Sequence, residues 1–338
     1  MLNTISTMLG GFIAAVAEYI AVATQSSPRV TAYPWSSASG FGSKYSDPAT
    51  LPPGAGYGVT FNAAGTSIIS TNGGTPFLVG YPWSSAGFGT KYADPSPALT
   101  QGAQSAFNPA GTVIAMSSDF SPYIYAYAFS SGFGSKFANP ATLPTSVGSS
   151  AAFNPAGTVI AVSQGSSPFI STYPWSSGFG TRFSNPATLP TGYAGGVSFD
   201  STGSTIGIAH DVSPWMSLYP WSSGFGTKYA NPATLPGGPG SGIDFNPAGD
   251  TVAISHNASP YVAAYPWSAG FGTKYANPAT LPTGNGNGIS FSVSGTTVAI
   301  AHSTTPFLSV YPWSAGFGTK YADPATLPSS TAYQVAFA

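Results

Sequence analysis

The sequence contains no cysteine and very little charge. Eight Lys or Arg and nine Asp or Glu occur among 338 residues, for a net charge of −1, and Glu18 is the only glutamate. The absence of cysteine excludes disulfides as a source of stability. The scarcity of basic residues excludes the basic patch of a nucleic-acid-binding surface, so no nucleic-acid partner is expected. With one glutamate and three histidines, a general acid–base pair or a carboxylate metal cage has few candidates. The composition therefore predicts no enzyme, no metal site and no cofactor.

One apolar run occurs near the N-terminus. Met8–Ala23 is sixteen residues long and is interrupted by Glu18, which makes it short for a membrane span. The segment also lacks the basic start of a secretory signal. We therefore expect no membrane span, and we divide the chain into an apolar N-terminal extension, residues 1–12, and a folded domain, residues 13–338. The extension either packs against its own domain or docks onto another subunit, which would give a homo-oligomer.

The chain is rich in internal repetition. The triplet Tyr-Pro-Trp occurs six times and a degenerate Tyr-Ala-Phe once, beginning at Tyr33, Tyr81, Tyr127, Tyr173, Tyr219, Tyr265 and Tyr311. The first interval is 48 residues and the others are 46. The Phe of a second motif, Phe-Asn-Pro-Ala-Gly, recurs every 46 residues and reaches Phe337, one residue before the end. A fixed period of this length indicates seven repeats of one structural unit.

Each repeat divides at turn residues into four short apolar runs. In one repeat the first run ends at Phe153, and the other three cover Thr158–Gln164, Pro168–Trp175 and Thr181–Pro186. Runs rich in Val, Ile, Phe and Tyr and bounded by Gly, Pro, Asn or Ser are typical of strands. Four strands in a period of this length are typical of a propeller blade. Pro174 cannot donate to a strand ladder, so it is expected at a strand end or a bulge.

The two ends of the chain are complementary. By register, Glu18–Thr24 is a second strand without a first, and Ala332–Ala338 is a first strand with nothing after it. Pairing the two would remove exposed edges and close a ring. The sequence thus predicts an all-β fold, a closed seven-bladed β-propeller of four-stranded blades whose first blade is completed by the C-terminal strand. The recurring Tyr-Pro-Trp residues are expected to be buried contacts between blades; the alternative is exposed tryptophans that stack on sugars.

Two segments, "VSFD…TGSTIGIAH" and "AAFNPAGTVIAVS", resemble the repeat segments of WD40- and YVTN-type β-propellers. The resemblance extends over essentially the whole chain. The usual Trp-Asp and Gly-His pairs are missing. The regular "YPWS…GFGTKY" repeats are also similar to propeller proteins encoded by bacteriophages. That resemblance implies a non-enzymatic virion structural or attachment protein (a fibre, spike or surface decoration) that contacts other virion proteins or a host-surface glycan and is extracellular after release. The alternatives are a carbohydrate-binding lectin without a viral role and a WD40-type protein-interaction scaffold, either extracellular or cytoplasmic.

The repeats differ most in the loop between the second and third strands. A polar ring precedes this loop and a mostly aromatic ring follows it, which suits carbohydrate or protein recognition, although drift in tolerant loops is the alternative. The candidate binding residues are Asn72, Gln164, His210, His256, His302, Trp215, Tyr261 and Phe307. The three histidines belong to successive blades, so no metal is expected there. Because imidazole ordinarily titrates near pH 6.5, a contact through them should respond to mild acid.

Overall fold

The structure, a computed structural model, describes residues 18–99 and 101–338. Within them the chain forms 24 strands and no helix, arranged as seven antiparallel sheets, or blades. The strands are given from the channel outward. Blades 1 to 3 have four strands each: blade 1 contains β24 (Ala332–Phe337), β1 (Glu18–Thr24), β2 (Val30–Ser36) and β3 (Gly40–Phe41); blade 2 contains β4 (Gly56–Phe61), β5 (Ser67–Asn72), β6 (Leu78–Ser84) and β7 (Gly87–Phe88); blade 3 contains β8 (Gly102–Phe107), β9 (Val113–Ser118), β10 (Ile124–Phe129) and β11 (Phe133–Lys136).

Blades 4 to 7 have three strands each: blade 4 contains β12 (Gly148–Phe153), β13 (Val159–Gln164) and β14 (Ile170–Pro174); blade 5 contains β15 (Ala194–Phe199), β16 (Thr205–His210) and β17 (Met216–Pro220); blade 6 contains β18 (Gly240–Phe245), β19 (Thr251–His256) and β20 (Val262–Pro266); blade 7 contains β21 (Gly286–Phe291), β22 (Thr297–His302) and β23 (Leu308–Pro312).

The C-terminal strand closes the ring as predicted. In β24, Gln334 lies opposite Ala23 and Phe337 lies opposite Ile20. Tyr19 and Ala338 extend the ladder by exchanging two backbone hydrogen bonds of 2.9 and 3.0 Å. The first strands of all seven blades contact one another in sequence around the axis, and β24 contacts both β21 and β4. The predicted fold class, a closed propeller of seven blades, is confirmed.

The fourth strand is shorter than predicted. Only blades 1 to 3 have a regular one, β3, β7 and β11, and the other four blades have a single bridge such as Trp175 to Phe179. Pro174 ends β14, as expected, and its carbonyl accepts a hydrogen bond of 2.8 Å from Gly180. A Cβ on Gly180 would lie 3.1 Å from that of Pro174. No regular ladder continues over residues 181–186, although Phe183 still donates to Thr172 over 2.9 Å.

The repeated aromatic residues join neighbouring blades. Trp221 is 6% exposed, and its ring centroid lies 5.2 Å from that of Phe183 in the preceding repeat and 4.9 Å from that of Phe225. The hydroxyl of Tyr219 donates 2.8 Å to the carbonyl of Thr188, in the connection from the preceding blade. All seven repeats have such a tyrosine, at positions 33, 81, 127, 173, 219, 265 and 311. The repeats are nearly identical because each makes the same contacts with its neighbour.

Part of the expected domain division cannot be seen. The boundary between residues 1–12 and 13–338 lies outside the described residues and stays a prediction. Among the described residues, no helix has the length and apolarity of a membrane span.

Candidate functional site

The first strands surround an axial channel with two connected cavities. The larger has a volume of about 470 Å³ and opens among the loops that join second to third strands; we call it the mouth pocket. The smaller, about 260 Å³, lies deeper and is called the channel cavity. Gln104 lines both. The mouth pocket is lined by Tyr57, Gln101, Gly102, Ala103, Gln104, Asp119, Ser149, Tyr193, Gly195, Asp211, Pro239, Gly240, Ser241, Asn257, Asn287 and Tyr333.

A half-buried carboxylate, that of Asp119, forms part of the mouth pocket. The residue directly follows β9, and its backbone amide donates to the carbonyl of Gln101 over 3.3 Å. The side-chain amide of Gln101 donates to Oδ2 of Asp119 over 2.8 Å. These bonds fix the carboxylate in the wall of the pocket. Burial raises the pKa of Asp119 above its ordinary value, which makes it a better proton acceptor than a fully solvated aspartate.

Two blades further around the ring, Tyr193 and Asp211 are held together. The backbone amide of Asp211 donates 3.0 Å to the carbonyl of Tyr193, and the hydroxyl of Ser149 donates 2.6 Å to that of Tyr193. A Cβ on Gly192 would lie 2.3 Å from Oδ1 of Asp211, so a larger residue there would displace the Asp211 side chain. Asp211 is exposed, and together with Asp119 it gives the pocket two carboxylates.

Tyr57 and Tyr333 provide a second aromatic wall. Their ring centroids are 5.7 Å apart in an edge-to-face arrangement. The side-chain amide of neighbouring Asn287 donates 2.8 Å to the carbonyl of Ala332. Aromatic faces beside amides and carboxylates are suited to a polyhydroxylated ring, whose C–H faces pack on tyrosine while its hydroxyls form hydrogen bonds.

Asp244 is the one ionisable residue among those that line the channel cavity. Its carboxylate accepts hydrogen bonds from the backbone amides of Phe245, at 3.0 Å, and Phe291, at 2.9 Å, and from Ser198 at 3.4 Å. Burial raises the pKa of Asp244 to about 7, against the lowering effect of these three bonds. In the described chain, no group of three or more His, Cys, Asp or Glu is placed to hold a metal ion.

The eight residues predicted from the loop pattern lie beneath the loops. Five of them have no exposed surface: Asn72, Gln164, His210, His256 and His302. The other three are half-buried: Trp215, Tyr261 and Phe307. None of the eight is among the residues that line the mouth pocket or the channel cavity. Partner binding by this sector of the ring stays a prediction.

Two of the three buried histidines form hydrogen bonds to the third strand of their blade, and one of them also bonds to the loop. Nε2 of His210 lies 3.0 Å from the hydroxyl of Ser217, and its Nδ1 lies 2.7 Å from the carbonyl of Val212. Nε2 of His302 lies 3.1 Å from the hydroxyl of Ser309. Burial lowers the pKa of His210, His256 and His302 to about 4. These rings therefore do not titrate near pH 6.5, contrary to the expectation from the sequence.

The residues that do line the mouth pocket carried a signal in the sequence. Asp119, Asp211 and Asn257 each directly follow the polar ring, where other repeats have Gln, Gly or Ser. Tyr57, Asn287 and Tyr333 share one position in the first strand, where other repeats have Ala, Ser or Gly. Divergence at these two positions marks the pocket, because one points into the mouth from the loops and the other from the innermost strands.

The solved structures that the chain is similar to are β-propellers. A protein from Bacteroides fragilis, described as a candidate 6-phosphogluconolactonase, has 12% identity and a TM-score of 0.74, covering 96% of this chain and 99% of its own. A protein from Bacteroides uniformis with the same description has 14% identity and a TM-score of 0.71, covering 95% and 99%. The periplasmic gluconolactonase of Pseudomonas aeruginosa has 11% identity and a TM-score of 0.69, with the same coverage. No protein-family model and no curated protein matches the sequence.

These neighbours correct the functional expectations. The resemblance to WD40-type propellers is supported at the level of the propeller fold, and no link to WD40 proteins or to phage proteins is found. The expectation of a non-enzymatic virion or attachment protein is wrong, because the three neighbours named above are described as sugar lactonases. The prediction that the chain is not an enzyme fails for the same reason. It had counted carboxylates and histidines along the sequence without seeing which of them converge. The expected partners and location are not tested by these findings and stay predictions.

Proposed function

We propose that the protein hydrolyses a sugar lactone in the mouth pocket. The observation that carries the proposal is the half-buried Asp119, oriented by Gln101 in the wall of a pocket that also presents tyrosines and amides. Proteins of the same fold that are named for gluconolactone or 6-phosphogluconolactone hydrolysis support this class of reaction.

Each part of the pocket has a role in the proposed reaction. Tyr57 and Tyr333 pack against the carbon face of the sugar ring, and the amides bind its hydroxyls. Asp119 acts as general base: it accepts a proton from water as the water oxygen attacks the lactone carbonyl. Side-chain amides such as those of Gln104 and Asn257 supply donors for the oxygen that becomes negatively charged. Burial, which raises the pKa of Asp119, makes its carboxylate a stronger base than a fully solvated aspartate.

The test is acid release from D-glucono-δ-lactone by the purified protein, corrected for spontaneous hydrolysis. Replacing Asp119 by Asn preserves its shape and removes the base, so kcat should fall by about 10²–10⁴, the usual contribution of general acid–base catalysis. Asp94→Asn, which makes the same change in an ion pair with Lys91 at the outer edge, is the matched control and should retain activity. Absence of hydrolysis above the spontaneous rate would reject the function. Equal rates for parent and Asp119→Asn would reject the role of Asp119.

A further inference from the structure

The mouth pocket has negative charge without compensation. Asp119 and Asp211 line it, and none of the sixteen lining residues is Lys or Arg. The partner of Asp119 is the neutral amide of Gln101. A ligand in this pocket therefore meets two carboxylates, neutral amides and tyrosine rings.

The basic residues of the chain have contacts elsewhere. Six lysines bond to the Asp or Asn three residues further on, in the outer part of each blade: Lys44, Lys91, Lys136, Lys228, Lys274 and Lys320. Arg182 lies 3.5 Å from the hydroxyl of Ser171, and Arg29 donates 2.8 Å to the carbonyl of Pro52. These eight are all the Lys and Arg of the chain.

Arg and Lys side chains and helix N-termini are the common binders of phosphate groups in proteins. The mouth pocket has neither, since the described residues 18–99 and 101–338 form no helix. A phosphoryl dianion in this pocket would face Asp119 and Asp211 in a partly desolvated site, where like-charge repulsion is stronger than in water. An uncharged polyol pays no such cost.

We infer that the mouth pocket selects uncharged sugar lactones over phosphorylated ones and that its negative charge promotes release of the acid product. This inference rests on the proposed function. In the reaction, the water oxygen adds to the carbonyl carbon and the ring C–O bond breaks. The ring oxygen takes up a proton and becomes a hydroxyl, and the new carboxylic acid loses one at neutral pH. A neutral substrate thus becomes an anion beside two carboxylates, which favours its departure.

The first experiment compares kcat/KM for D-glucono-δ-lactone and for its 6-phosphate. The expected ratio is about tenfold or more in favour of the uncharged lactone, and it should shrink in high salt because exposed charges are screened. Asn257→Lys places a cation in the pocket wall and should reduce the ratio. Asn185→Lys adds the same charge at the exposed outer edge of a blade and should leave the ratio unchanged.

The second experiment measures binding without turnover. Titration calorimetry with gluconolactam, an uncharged non-hydrolysable isostere of the lactone, and with gluconate should show tighter binding of the lactam. Asp211→Asn should narrow that difference. Equal kcat/KM for the two lactones, together with lactam binding, would overturn charge selection and leave the proposed function standing. Tighter binding of gluconate than of lactam would overturn the product-release part. If the protein neither hydrolyses the lactone nor binds the lactam, the proposed function is overturned, and this inference is overturned with it.

Discussion

The backbone amide of Phe291 donates a hydrogen bond of 2.9 Å to Oδ2 of Asp244. The bond joins the innermost strands of blades 6 and 7 through an ionisable side chain. Asp244 is also the only ionisable group among the lining residues of the channel cavity, and burial raises its pKa to about 7. Protonation of this carboxylate therefore makes the stability of the closed ring depend on pH.

Asp244→Asn should change how stability depends on pH. The folded-state pKa is about 7 and the ordinary value is 3.8, so between these values the folded state holds a proton that the unfolded state has lost. Stability consequently falls as pH rises from about 4 to 7. Asn does not titrate, so it removes this loss; its Nδ2 cannot accept one of the two backbone bonds, a cost that is the same at every pH. Because the carboxylate remains in contact with the channel, we expect the stability of the variant relative to the parent to rise by about 1–2 kcal/mol between pH 5 and pH 8, less than full desolvation would give.

The measurement is urea unfolding of parent and variant at pH 5 and pH 8. The difference in unfolding free energy, variant minus parent, should be more positive at pH 8 than at pH 5. Ser290→Ala, a change in the same cavity without a titratable group, is the control and should show no such difference between the two pH values. A difference between variant and parent that is the same at both pH values would contradict the raised pKa.

The buried histidines should make the fold sensitive to acid. Their folded-state pKa is about 4 and the ordinary value is 6.5, so between these values the unfolded state binds protons that the folded state does not. Stability is therefore lost as pH falls from about 6.5 to 4. Gln164 occupies the same repeat position as His256, so His256→Gln has a natural precedent within the chain. It should reduce the loss between pH 7 and pH 5 by about 1–2 kcal/mol.

The reverse change gives the control for this prediction. Gln164→His should add a fourth buried imidazole and make the loss between pH 7 and pH 5 larger. Both variants are compared with the parent by urea unfolding at the two pH values. If His256→Gln and the parent lose equal stability in acid, this histidine takes up its proton in the folded state as easily as in the unfolded chain.

Most of the fold could be predicted because its causes are local and repeated. The 46-residue period, the apolar runs and the orphan strands Glu18–Thr24 and Ala332–Phe337 all depend on residues near each other in the sequence or on matching ends. The fourth strand is shorter than predicted because, after the turn at Pro174 and Gly180, the outer segment keeps only single backbone bonds to the third strand. The alternation of apolar and polar residues in the sequence does not predict this turn.

The site was harder to predict for a geometric reason. His210 and Asp211 are adjacent, yet the imidazole is buried and the carboxylate reaches the pocket. Sequence divergence marked the loop and could not decide which of two neighbours points to the axis. Residues from different blades, such as Tyr57 and Tyr333, also converge across the ring closure, and their separation in the sequence conceals that contact.

Ring closure should depend on the last strand. Val335 is 1% exposed and lies opposite Val22, so Val335→Asp would bury an unpaired carboxylate in the closing blade. We expect the melting temperature to fall sharply. Gln334→Glu, which places a carboxylate at a half-buried position next to it in the same strand, is the control and should melt closer to the parent. If Val335→Asp melts with the parent, the closing strand contributes little to stability.

The Tyr-Pro-Trp residues should matter for stability and not for the chemistry. Trp221 packs against Phe183, Phe199 and Phe225 and is not among the residues that line the mouth pocket. Trp221→Ala removes a buried aromatic ring and should cost about 3–5 kcal/mol of unfolding free energy. Tyr219→Phe, which loses only the hydrogen bond to Thr188, should cost about 1 kcal/mol. Below their melting temperatures, both variants should hydrolyse lactone with the kcat/KM of the parent, measured per folded molecule. A stable Trp221→Ala protein with reduced activity would instead make this tryptophan part of the ligand site.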